Sequence, residues 1–188
     1  MEAPRPTPQN RPRWPAAVAV TVACFAYAAV RYHVFGGVSW QHAPLWTANK
    51  ALAWAAVLLL LWSAVEGRRA PRQPRNNGLL RAGLTLAFGH VGASIVLLDP
   101  SDFPALYDGG RLTLWAGGSM LLGLGATALI RLRRPRPLAA AGLTVAAHAA
   151  LIGAGGWIQP AAWPGGLVPI SLLGALSGLA LALAVRRD

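Results

Sequence analysis

The chain has 188 residues, 55% of them apolar and 12% charged, with a mean hydropathy of +0.44; this is too apolar for an ordinary soluble domain and reads as an integral membrane protein. Charge is lopsided, 17 Lys and Arg against 6 Asp and Glu, with Lys50 the only lysine. One cysteine excludes a disulfide framework and a cysteine-built metal site, and the absence of a Gly-rich phosphate loop, with most of the length consumed by apolar runs, excludes a soluble nucleotide-binding catalytic domain.

Six apolar stretches of roughly 18 to 22 residues are long enough to cross a bilayer. In chain order they run from Trp14 to Val34, Ala48 to Val65, Gly78 to Leu98, Leu112 to Leu132, Pro137 to Ile158 and Leu167 to Val185. Their Ala, Leu, Val and Gly content predicts helices, because lipid offers no partner for open backbone groups, and no alternating pattern of a β-barrel is present. The predicted fold is therefore all-α, a six-helix transmembrane bundle over residues 14–185 between a tail at 1–13 and a tail at 186–188.

The basic residues lie between these runs. Arg5, Arg11 and Arg13 precede the first; Arg68, Arg69, Arg72, Arg75 and Arg81 surround the second connection; Arg131, Arg133, Arg134 and Arg136 crowd the fourth; Arg186 and Arg187 end the chain. The alternate connections carry Asp99, Asp102 and Asp108 or no charge, with Trp40, Trp46, Trp157 and Trp163 spaced like an interfacial aromatic belt. Positive-inside bias then places both termini in the cytoplasm. Arginine in short interhelical clusters argues against nucleic acid as a partner and for the lipid bilayer.

The first run needs a separate reading. Basic residues, an apolar stretch and Ala26-Tyr27-Ala28 imitate a secretory signal with its cleavage site. Cleavage would leave five spans beginning outside, which is equally positive-inside. The first run is expected to remain as an uncleaved helix. Cys24 follows a poor lipobox, Thr21-Val22-Ala23, and is expected to be a buried thiol.

Carboxylates are nearly absent from the spans, so chemistry falls to histidine. His90 and His148 each lie roughly 15 to 18 Å along the third and fifth spans at about 1.5 Å per residue. Odd-numbered helices are parallel, which puts the two imidazoles at one depth near the midplane. Polar groups are costly there and default to function; the alternative is that each ring simply hydrogen-bonds a neighbouring helix. Gly83, Gly89 and Gly92 thin the third span, and Ala146, Ala147, Ala149 and Ala150 the fifth. Small residues leave room for a flat cofactor, or let helices pack closely without one. A single b-type haem fits two neutral imidazoles in an apolar pocket, one on each face of its iron, whereas zinc lacks its third and fourth ligands. Arg31, Lys50 and Arg111, near the outer span ends, are candidates for haem carboxylates, with snorkelling as the alternative. His33 and His42 are expected at the outer surface, with an outer cofactor or quinone contact as the lesser reading.

The run Leu80-Arg81-Ala82-Gly83-Leu84 followed by Phe88-Gly89-His90 resembles the third helix of the ferric reductase-like transmembrane domain family, which includes the haem-binding subunit of the bacterial methionine sulfoxide reductase system and the membrane core of NADPH oxidases. The segment from Pro104 to Leu112 before a Gly-rich fourth helix is similar to bacterial members, and the resemblance spans roughly Ala48 to Trp157. It implies haem ligation by His90 and His148, electron transfer across the membrane, and a bacterial-type inner membrane. Family members with two haems carry two histidines on each of these helices; one on each here limits the chain to one haem. Bacterial one-haem relatives often have a further histidine near the outer end of the fifth span, where Gly156 and Trp157 stand.

Two functions follow. One is a haem b electron-transfer subunit of an oxidoreductase, supplied by a partner reductase or by quinol. The other is a haem-free structural or assembly subunit of a larger membrane complex. Both require a protein partner. A transporter is disfavoured, since no span is broken at its middle and none carries a carboxylate.

Overall fold

The computed structural model describes residues 13–69, 77–100, 103, 106–132 and 134–185. The tails, the connection bearing Arg72 and Arg75, and the positions of Asp102 and Arg133 lie outside the described residues. Six helices form the bundle: α1 (Trp14–Ala29), α2 (Ala48–Arg69), α3 (Asn77–Val96), α4 (Leu114–Arg131), α5 (Pro135–Trp157) and α6 (Ile170–Val185). Each belongs to a stretch long and apolar enough to cross a membrane, so the protein is a multi-pass membrane protein with an all-α six-helix fold. Large apolar side chains such as Val96, Leu121 and Leu183 face outward, which suits lipid and would not suit water.

The first two spans are longer than their α-helices. A π-helical turn over Val30–Val34 extends α1, and a 3₁₀ turn at Trp40–His42 followed by a π-turn at Ala43–Thr47 leads into α2. Between them, Gly37 adopts φ 68°, a left-handed conformation that glycine takes without a Cβ clash. The Val38 amide returns to the Tyr32 carbonyl at 2.9 Å, closing the end of the first span. Connection α3–α4 holds a feature the sequence reading did not anticipate, a small hairpin of β1 (Tyr107–Asp108) and β2 (Arg111–Leu112) turning on Gly109 and Gly110, both at positive φ. Thr113 then caps α4, its hydroxyl accepting from the Ala116 amide at 3.2 Å.

Packing is most extensive between α5 and α6, α2 and α3, and α4 and α5. The α5–α6 crossing is backbone on backbone: a Cβ added at Gly142 would lie 2.5 Å from the Gly178 carbonyl oxygen, and one at Gly178 2.7 Å from that of Gly142. Small residues are the means of close helix approach in lipid, where apolar side chains gain little by leaving one greasy environment for another. At the Arg-rich end, Leu60, Leu80, Ile130, Leu138 and Leu181 join α2 through α6 in one core. Nearer the opposite end, Cys24, Ala28, Ala51, Ala55 and Ile170 join α1, α2 and α6; Cys24 is buried there, as expected for a structural thiol. Glu66 ties the Arg-rich ends of α1 and α2 together, pairing with Arg13 and accepting from Trp62 Nε1 at 2.7 Å. In contrast to these contacts, α3 and α4 touch only sparsely.

Candidate cofactor site

That sparse contact leaves a cleft of about 450 Å³, counted out to its open side, with walls from four helices. Helix α2 contributes Ala53, Ala56, Val57 and Leu60; α4 contributes Gly123, Ala126, Thr127 and Ile130; Ala87 and Val145 come from α3 and α5. The polar side chains among the lining residues are His90, His148 and Thr127, and the Thr127 hydroxyl is already donated to the Gly123 carbonyl at 3.0 Å. The cleft is apolar apart from these groups, and the two imidazoles converge on it.

The ring centroids of His90 and His148 are 6.1 Å apart, with planes at 72°. Their hydrogen bonds fix their chemistry. His90 Nδ1 lies 2.6 Å from Asn49 Oδ1 and 3.2 Å from the Asn49 backbone oxygen. His148 Nδ1 lies 2.8 Å from the Ser119 backbone oxygen and 2.8 Å from its hydroxyl. A backbone carbonyl can only accept, so each Nδ1 carries the proton and donates it. Each Nε2 in a neutral ring is then a bare lone pair. Among the described residues neither Nε2 has a hydrogen-bond partner. Two lone pairs have no proton to share, so the rings cannot satisfy one another. Donating Nδ1–H to a carbonyl is also how metal-bound histidines are oriented and made more basic.

The residues present fit a haem. His90 and His148, both on the lining of the cleft, are the residues that would hold the iron of a haem seated there. The walls are apolar, as a macrocycle requires. No group of three or more His, Cys, Asp and Glu that could hold a metal ion exists among the described residues.

The other expected site residues have different surroundings. Gly83 packs on α2, where a Cβ would meet the Ala56 carbonyl oxygen at 3.1 Å and Leu60 at 3.0 Å; it is a helix-packing position rather than part of the cleft lining. Gly89 faces Leu52 at 3.6 Å and is also outside the lining. The glycine that borders a histidine is Gly123 of α4, whose added Cβ would lie 3.6 Å from His148. Arg31 is buried and donates to the Leu167 carbonyl, linking the end of the first span to the approach to α6. Arg111 is exposed in the hairpin, opposite Asp108. Lys50 Nζ sits 3.9 Å from the centroid of Trp46, 5.0 Å from Phe103 and 5.7 Å from Tyr32.

His33 behaves unlike the cleft pair. It is buried, stacked on Trp40 at 4.4 Å, and both nitrogens are engaged, Nδ1 with the Val38 carbonyl at 2.8 Å and Nε2 with the Thr47 hydroxyl at 2.7 Å. The expectation of a surface histidine is thus corrected: it staples the outer turn between the first two spans. His42 is exposed. Sequence reasoning passed over Asn49, Ser119 and the α4 wall. The available signal was that Asn49 and Ser119 are themselves polar residues inside apolar runs.

Compared with family models, curated proteins and solved structures, the chain matches none.

Proposed function

We propose that the protein is a membrane haem b subunit that relays electrons across the bilayer between a partner reductase or quinol and an acceptor. The carrying observation is the pair of Nδ1-protonated imidazoles, His90 and His148, whose Nε2 lone pairs have no protein partner beside one apolar cleft. Haem bound there supplies a one-electron redox centre. The protein's share is to hold the rings through Asn49 and Ser119, and to exclude water by the walls of α2 and α4. Ligation by both His90 and His148 would suit outer-sphere electron transfer rather than oxygen or peroxide chemistry.

The proposed setting is a bacterial-type inner membrane with both termini cytoplasmic. Its support is that Arg68, Arg81, Arg131, Arg134 and Arg136 gather at one end of the bundle while Asp99 and Asp108 lie at the other. The basic end is the proposed docking face for a protein partner.

A second reading, a haem-free structural or assembly subunit, is favoured by one observation: both Nδ1 protons go to neighbouring helices, α3 to α2 and α5 to α4, so the histidines also serve as interhelical staples. The visible spectrum of the protein purified from haem-replete cells separates the two. A low-spin bis-imidazole spectrum supports the first; a folded, colourless protein that retains its neighbours supports the second.

A further inference from the structure

Lys50 is the chain's only lysine, and it lies within a span. It is half-buried, and among the described residues no carboxylate pairs with it and no acceptor takes its protons. Three aromatic faces surround the ammonium, a cation–π arrangement that holds a cation in place without neutralising it. An ionisable side chain kept inside a membrane calls for a partner.

Its position says what the partner is. Lys50, Ala53, Val57 and Leu60 recur at helical spacing on one face of α2, and the last three line the cleft. Lys50 therefore stands on that face one turn beyond Ala53, outside the lining residues themselves. It also follows Asn49, whose carbonyl groups hold His90. Helical side chains lean toward the helix N-terminus, which carries the Lys50 amine past the level of Asn49, toward Trp46 and away from the Arg-rich end. The two other cations at this end are differently engaged, Arg31 with the Leu167 carbonyl and Arg111 in the exposed hairpin.

We propose that Lys50 is the anion-recognition residue of the cleft and binds the carboxylate edge of the tetrapyrrole, so that the macrocycle enters in one orientation with its carboxylates toward the Asp-bearing end of the bundle. The aromatic rings of Trp46, Phe103 and Tyr32 hold the ammonium ready for that contact. This inference rests on the haem reading above.

The test titrates purified apo-protein in zwitterionic nanodiscs with haem b and with haem b dimethyl ester, whose carboxylates are blocked, following the absorbance of the bis-imidazole complex. Wild-type protein is expected to bind haem roughly ten- to a hundredfold more tightly than the ester, the worth of a charge-assisted contact. Lys50→Met is expected to lose that preference by weakening haem alone, while Lys50→Arg keeps most of it. Equal wild-type affinity for haem and ester, or a Lys50→Met protein that retains the preference, overturns the lysine assignment and leaves the haem reading standing. Failure of wild-type protein to bind either compound overturns both. The wild-type comparison needs no variant, so a misfolded Lys50→Met protein does not stop the test.

Discussion

His90 and His148 approach to 6.1 Å between ring centroids although they come from helices α3 and α5, and each donates its Nδ1 proton away from the cleft, to Asn49 on α2 and Ser119 on α4. Four helices are thereby locked around two lone pairs.

If those lone pairs ligate one iron, His90→Ala and His148→Ala should each abolish the low-spin haem spectrum. His33→Ala should keep it, because both nitrogens of His33 are spent on Val38 and Thr47. The His33 variant should instead lose stability by about 1–3 kcal/mol, the cost of leaving buried partners unpaired. Absorbance per mole of protein and thermal unfolding in detergent separate the effects; an intact spectrum in both cleft variants would count against ligation.

The supporting hydrogen bonds predict an asymmetry. Asn49→Leu removes the closer acceptor of His90, Oδ1 at 2.6 Å, and leaves the backbone oxygen at 3.2 Å. Ser119→Ala removes a hydroxyl but leaves the backbone oxygen at 2.8 Å from His148. Haem affinity should therefore fall about tenfold or more in Asn49→Leu, in the range typical of lost metal-ligand support, and less in Ser119→Ala. Competition for bound haem by apomyoglobin gives the comparison, and the reverse ranking would contradict it.

A bulky side chain at Gly123 should exclude a cofactor, since its Cβ already stands 3.6 Å from His148 at the cleft wall. Gly123→Leu is expected to bind no haem while remaining folded. Gly89→Leu, beside Leu52 and outside the lining, should retain haem binding. Equal loss in both variants, at normal expression, would mean that the cleft is not the binding site.

Stability should depend most sharply on the α5–α6 crossing. Gly142→Val drives a side chain into the Gly178 carbonyl, which the added Cβ alone would meet at 2.5 Å; the cost is expected at about 1–3 kcal/mol, the range for overpacking. Gly117→Ala on α4, where an added Cβ meets nothing within 4 Å, should be close to neutral. Unfolding of both variants in the same detergent checks this, and a destabilised Gly117→Ala protein would break the ranking.

Length and apolarity by themselves determined the number of spans, because only helices satisfy their backbones in lipid and each needs a fixed length to cross it. The expected first span, Trp14 to Val34, is the one observed; the second, expected from Ala48 to Val65, runs Trp40–Arg68 because the turns before α2 belong to it, and the others differ by a few residues at their ends. Helical rise likewise put His90 and His148 at one depth. What the sequence did not determine is rotation about each helix axis, since spans apolar on every side have no polar face to betray which way a residue points. Tertiary packing decided that Gly83 is used against Ala56 and Leu60 rather than in the cleft, and that Gly123 borders His148 in its place. Packing likewise set the Lys50 ammonium against Trp46, Phe103 and Tyr32. The same packing selects the histidine tautomer, for the carbonyl that another helix sets before Nδ1 favours the proton on that nitrogen rather than on Nε2. The outer turn also lay beyond a reading by span length, because Val38 and Thr47 are what bring His33 inward, and those contacts exist only once the first two spans are side by side.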